Sequence, residues 1–168
     1  VLLMRDVAGT GDLALTNAGI QYSYDIKINN YWSVRPGVHL NYTQMGIDYI
    51  KLTWNDQLSS SGTGGSTIEQ PGEPVKSDID FSTSVLAYSD RLWLGFGVDH
   101  LLRPNYGLWN NDANWPMKFT VFGGGQIMKK GHLFNPIDES LSVAFLYRHQ
   151  YVYDQLDLGL YWFKSPLM

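Results

Sequence analysis

Over residues 18–44 apolar and polar side chains alternate with a period of two. Ile20, Tyr22, Tyr24, Ile26 and Ile28 fall on one side, with Gly19, Gln21, Ser23, Asp25 and Lys27 between them. Beyond Asn29 and Asn30, Trp32, Val34, Val38, Leu40 and Tyr42 alternate in the same way with Ser33, Arg35, Gly37, His39, Asn41 and Thr43. Successive side chains of a strand point to opposite faces, so this pattern predicts two paired strands. The two asparagines predict a two-residue hairpin turn, because Asn tolerates the positive φ that such a turn requires. Both arms match the ~9–11 residues of a tilted membrane-crossing strand better than the ~5–6 of an ordinary one. A soluble sandwich would bury the apolar side, whereas a membrane barrel turns it to lipid and lines its lumen with the polar side. Alternation alone fits both.

The same period recurs along the chain. Strand ends or strands are expected at 1–7, 79–88, 92–102, 117–127, 141–147 and 155–163, giving about eight in all with the hairpin, joined in sequence. GTGD at 9–12 and Ser89, Asp90 and Arg91 read as turns. Gly123, Gly124 and Gly125 predict a bend or bulge in their strand. Residues 45–77 form a long insertion whose Ser/Gly/Pro-rich middle, QLSSSGTGGSTIEQPGEP, predicts a surface loop or partner site. A second loop, 103–116, carries Tyr106, Trp109 and Trp115. The Asn-Asn and Ser-Asp-Arg turns fall at one rim and the two long loops at the other, the segregation found in outer-membrane barrels. A long connection over 129–140 is expected on the short-turn side, against that trend. No stretch has convincing helical periodicity.

Composition sharpens this picture in three ways. Charged residues are 17% of the 168, the formal net charge is -4, and no basic run is present, which argues against a nucleic-acid partner. Aromatic residues reach 14%, with eleven Tyr and six Trp, several near strand ends where an interfacial girdle would sit. The absence of cysteine removes disulfides, thiol nucleophiles and cysteine-based zinc sites. No apolar run reaches the ~18 residues of a helical span, so a membrane crossing has to be made by strands. No signal peptide is visible, and Val1 opens inside an apolar run. The expectation is one barrel domain over 1–168, incomplete at both ends.

Three stretches carry a resemblance: YSYDIKINNYWSVRPGVHLNYTQMGIDYIKLTWNDQL, FSTSVLAYSDRLWLGFGVDHLLRPN and FLYRHQYVYDQLDLGLYWFKSPL. In order and spacing they resemble the PorP/SprF family of Bacteroidota outer-membrane proteins linked to the type IX secretion system. The resemblance implies a non-enzymatic transmembrane β-barrel in the cell outer membrane, in contact with outer-membrane lipid. It implies a role in secretion or surface anchoring of a large secreted protein, such as a gliding-motility adhesin, through that protein's C-terminal signal domain. Other type IX secretion components are the further partners it implies.

The chemistry-bearing residues are weighed on that background. His39, His100, His132 and His149 are scattered without HxH or HExxH spacing, and no paired carboxylates or Ser/His/Asp arrangement stand out, so no metal, cofactor or catalytic residue is expected. Asp25, Lys27, Arg35, His39, Asp99, Arg148 and Asp157 share the polar side, where they would line the lumen and pair with one another. A small-solute channel would use the same residues, and a soluble lipocalin-like binding module needs no more than eight strands. Tyr106, Trp109 and Trp115 are the candidate partner-binding residues, since aromatics on polar loops supply much of the energy of recognition.

Overall fold

The structure, a computed structural model, describes residues 1–59, 62–63, 67–108, 113–132 and 135–164, without the side chains of 59, 62–63, 132 and 135–138. Its strands are β1 (Leu2–Ala8), β2 (Leu13–Ser23), β3 (Ile26–Lys27), β4 (Ser33–Gly46), β5 (Leu58–Ser59), β6 (Gly62–Thr63), β7 (Val75–Tyr88), β8 (Leu92–Asp99), β9 (Lys118–His132), β10 (Asn135–Gln150) and β11 (Tyr153–Lys164). Nine of them form one sheet in the order β1-β2-β4-β7-β8-β9-β10-β11, with β3 also on β4, and β5 pairs β6 separately. The pairs β1–β2, β3–β4, β5–β6, β7–β8, β8–β9, β9–β10 and β10–β11 are all antiparallel. The all-β antiparallel class expected from the alternation therefore holds. Two short 3-10 helices, Tyr49–Lys51 and Asn55–Gln57, complete the secondary structure of the described residues, and no described helix is long and apolar enough to cross a membrane.

The chain divides into two compact units. One comprises Val1–Gln21, His39–Phe81 and Leu102–Trp115, and the other Tyr22–Val38, Ser82–Leu101 and Pro116–Met168. Strands β2, β4 and β7 contribute residues to both.

Burial is inverted relative to a water-soluble sheet. Among the described residues the buried polar positions are Thr43, Asp80, Ser82 and Ser140, while Val98 and Tyr106 are the buried hydrophobic ones. In β4, Val38, Leu40 and Tyr42 are exposed, while His39 and Asn41 between them are half-buried and Thr43 is buried. Leu156, Leu158 and Leu160 are 61%, 77% and 72% exposed on β11, the last strand of the sheet, where both faces are open. In water each such leucine would forgo about 1.5–3 kcal/mol of burial. Against hydrocarbon the same exposure costs nothing, and the polar side becomes the side to shield.

Several details depart from the sequence expectation, each for a local reason. The first hairpin does not close through a two-residue turn: 28–32 form a wider loop. Asn29 Oδ1 accepts from the Tyr31 and Trp32 amides at 2.8 Å each, an Asx turn that needs no positive φ, and neither asparagine has one. The expected long connection at 129–140 is mostly strand, since β9 extends to His132 and β10 begins at Asn135. The polar-aromatic stretch before β11 is also strand. Arg148, His149 and Gln150 pair with Gln155, Asp154 and Tyr153, leaving a tight turn at Tyr151 and Val152 with Tyr151 at φ 57°. β8 stops at Asp99, where His100 (φ 60°) and Arg103 (φ 51°) leave extended backbone.

The three consecutive glycines keep regular register, and one of the two β9–β10 shifts falls beside them, where Leu141 faces Met128 and Ser142 faces Gln126. Their smallness admits neighbours instead. A Cβ at Gly124 would lie 2.6 Å from the Val143 carbonyl and 2.8 Å from the Trp93 ring, and the Phe122 ring lies likewise over Gly95. Aromatic rings laid across glycines of an adjacent strand cover otherwise bare ladder. Gly124→Ala should therefore destabilise the folded protein by about 1–3 kcal/mol, the usual cost of overpacking. Gly159→Ala, where the nearest atom is 3.8 Å away, should cost at most about 0.5 kcal/mol. Urea titration of the two variants in detergent or vesicles checks the difference.

Candidate functional site: polar face and loop cap

On the polar face, the residues singled out in the sequence lie in short networks. In the unit containing Ser82–Leu101, Arg35 donates to Asp25 at 3.0 Å, and Tyr88 places its hydroxyl 2.8 and 2.6 Å from the two Asp25 oxygens. The Arg35 guanidinium also stands 5.4 Å from the Tyr88 ring centre, a cation–π contact. Asp99 meets Lys118 at 2.8 Å. Arg148 donates to Gln155 at 3.3 Å, and Gln155 donates to Asp157 at 2.9 Å. Lys27 is exposed in β3. His39 belongs to the other unit, where its Nε2 and Asn41 Oδ1 are buried beside Gly19; a Cβ there would come 2.7 and 3.1 Å from them. Asn41 donates on to Thr43 at 2.8 Å, and Thr43 to Asn17 at 2.6 Å. Among the described residues no three His, Asp or Glu side chains gather as a metal would need.

Partners such as Tyr88, Lys118 and Gln155 could not be named from sequence, because they depend on which strand lies beside which. The glycine-floored trough on the polar face was missed for the same reason. Trp93, Ala144 and Gly159 border a cavity of about 390 Å³ that reaches Ser89, Asp90 and Arg91 at one end. They also border one of about 400 Å³ that runs along Phe122, Leu146 and Asp157. Trp93 and Phe122 stand 6.0 Å apart at its edge.

In the unit containing His39–Phe81, the two long loops are folded onto each other. Glu73 N–H donates to the Leu108 carbonyl at 2.7 Å, and Ile47 N–H to Pro74 at 2.9 Å. Asp48 N–H donates to Gly11 at 2.7 Å, which ties the insertion to the β1–β2 turn. Lys51 adds an ion pair with Asp12 and a second with Asp48 at 3.7 Å. The Asp12 carboxylate, accepting the ammonium hydrogen bond, holds the Lys51 pKa above its ordinary 10.5. Tyr49 stacks on Trp54 at 6.2 Å. Two carboxylates pin the backbone beside protruding aliphatics. Asp48 accepts from Ile50 N–H at 3.1 Å and Asp56 from Ile68 N–H at 2.7 Å, with Ile50 95% and Ile68 87% exposed.

The second loop supplies the cap's anchor. Pro104 is fully buried, Asn105 N–H donates to Asp78 at 2.8 Å, and Trp115 N–H returns to Pro104 at 2.9 Å. Tyr106 points inward and is 8% exposed, its ring edge-on to Trp115 at 5.3 Å. Burial, with Asp80 and Asp78 nearby, pushes the Tyr106 hydroxyl pKa up, although the hydrogen bond with Thr43 opposes it. Trp115 is 45% exposed, and Trp109 lies outside the described residues. Of the two described aromatics, Tyr106 is buried and Trp115 is the more exposed.

Comparison with known proteins gives one match. The family model described as type IX secretion system membrane protein PorP/SprF matches residues 1–168. No curated protein and no solved structure matches the chain.

The Lys51 ion pairs should matter for the cap alone. Lys51→Met or Asp12→Asn should speed protease cleavage within 47–57 without changing cleavage elsewhere. Because Lys51 has its pKa raised in the folded protein, its contribution is complete below about pH 10.5 and fades as pH rises through the raised value. The near-ultraviolet dichroism of the wild type should then converge on that of Lys51→Met in strong alkali.

Proposed function

The chain belongs to the PorP/SprF family of type IX secretion system membrane proteins, and on that premise we propose that it forms part of an outer-membrane barrel that holds a secreted protein at the cell surface. The bound element is that protein's C-terminal signal domain, and other secretion components join the same assembly. The part is non-enzymatic: binding and positioning, with no bond made or broken.

The observation that carries the cargo reading is the folded cap. A partner-binding surface gains affinity when it is already ordered, and the described parts of both long loops are tied by hydrogen bonds with no partner present. The fastening leaves Ile50, Ile68 and Trp115 outward on a polar background, which suits anchors that enter pockets of a protein. The inverted burial of the sheet supports the membrane location. The polar-face ion pairs, such as Asp25 with Arg35 and Asp99 with Lys118, support charges that fill the interior by pairing with each other.

The test is a pull-down of the tagged full-length protein from detergent-solubilised membranes. A secreted protein carrying the C-terminal signal domain should be recovered. Its yield should fall severalfold in the Ile50→Ser, Ile68→Ser, Trp115→Ala variant, which spares the Tyr106 anchor. A partnerless protein that conducts ions in planar bilayers would overturn the cargo reading in favour of a solute channel.

A further inference from the structure

The register of β10 on β11 sorts their residues into two sets. One set of cross-strand pairs reads Leu141 with Trp162, Val143 with Leu160, Phe145 with Leu158, and Tyr147 with Leu156. Directly opposed residues share a face, so these four apolar rungs stack on one side. The alternate rungs, Ser142 with Tyr161, Ala144 with Gly159, Leu146 with Asp157 and Arg148 with Gln155, lie on the other. The apolar series ends abruptly in both directions. Its next rung at one end is His149 with Asp154, and at the other Glu139 with Lys164.

Both end rungs are built, not merely polar. Asp154 Oδ1 accepts from the Tyr147 hydroxyl at 2.6 Å and lies 2.8 Å from His149 Nδ1. Phe119 stacks on the His149 ring at 6.4 Å. At the opposite end the Trp162 indole N–H donates to Glu139 at 3.1 Å, and Lys130 approaches Glu139 at 3.9 Å with its own side chain 67% exposed. An indole and lysines at the edge of an apolar stripe match the chemistry of lipid phosphates and the interfacial layer.

The spacing fits as well. From Asp154 to Lys164 the strand runs roughly 34 Å at ~3.4 Å per residue. At the ~40° tilt usual for membrane strands that is about 26 Å of height, against the ~25 Å apolar band of outer-membrane barrels. A soluble partner would have no reason to match that length at both ends.

We infer that this face of β10 and β11 is seated directly against bilayer hydrocarbon, with the His149–Asp154 and Glu139–Lys164 rungs marking the two headgroup layers. The inference rests on the membrane part of the proposed function and is independent of its cargo part. It assigns depth to particular residues: Leu158 near the middle, Asp154 and Lys164 at the two edges, and Gly159 off the lipid surface.

These 168 residues hold no cysteine, so an introduced thiol has no rival among them. Single substitutions Asp154→Cys, Leu156→Cys, Leu158→Cys, Gly159→Cys, Leu160→Cys and Lys164→Cys carry an environment-sensitive fluorophore in the full chain, refolded into phosphatidylcholine vesicles. Quenching by lipids spin-labelled in mid-chain should peak at Leu158 and fall severalfold towards Asp154 and Lys164. The Gly159 label should respond to aqueous quencher instead. Should the Leu158 variant fail to refold, Val143→Cys and Phe145→Cys report the same rungs from β10. A lipid signal at Leu158 no greater than at Gly159, or a maximum at either end rung, overturns the inference. Loss of cargo capture with the gradient intact would refute only the cargo reading.

Discussion

Hydrocarbon offers no hydrogen bonds, and that single constraint organises this protein. A strand placed in lipid must find partners for all its amide and carbonyl groups on neighbouring strands, so long, regular, antiparallel pairing is obligatory. β10 shows the result, paired with β9 along one edge and with β11 along the other from Glu139 opposite Lys164 to Gln150 opposite Tyr153. Once the backbone is satisfied, side-chain alternation decides everything else. One parity is mainly aliphatic and aromatic, and the other carries the paired ions and amides.

That division explains features that would be faults in a soluble domain. Leucines stand exposed on β11 while Asp80 is 5% exposed. Glycines occupy mid-strand positions, where rings from the next strand cover them. Charges on the polar side are tied in short chains, Asp25 to Arg35 and Tyr88, Arg148 to Gln155 and Asp157. The same economy continues in the loops, where aspartates bond backbone amides beside outward isoleucines.

Much of this could be read from the sequence, because parity is a local property. The polar side of the hairpin, the Ser89 to Arg91 turn and the shared parity of Arg148 and Asp157 all follow from period two. Three kinds of feature escaped. Strand ends at 129–140 and 148–154 were masked by polar residues, which in a membrane sheet continue the ladder through the headgroup layer rather than end it. Turn geometry at Asn29 was set by a side-chain acceptor, not by the backbone preference of the dipeptide. The inward turn of Tyr106 depends on Asp78 and Thr43, which lie far away in sequence and come near only through pairing. The identity of the family was legible because ordered motifs carried it, and the match across 1–168 bears it out.

The central claim is that the apolar parity faces lipid and the polar parity does not. Arginine placed on each parity at one depth tests it most directly, with folding free energy into vesicles as the readout. Leu158→Arg should cost about 2–4 kcal/mol, and Gly159→Arg, one residue away on the opposite face, about 1 kcal/mol or less. Equal costs, or a larger one at Gly159, would contradict the account.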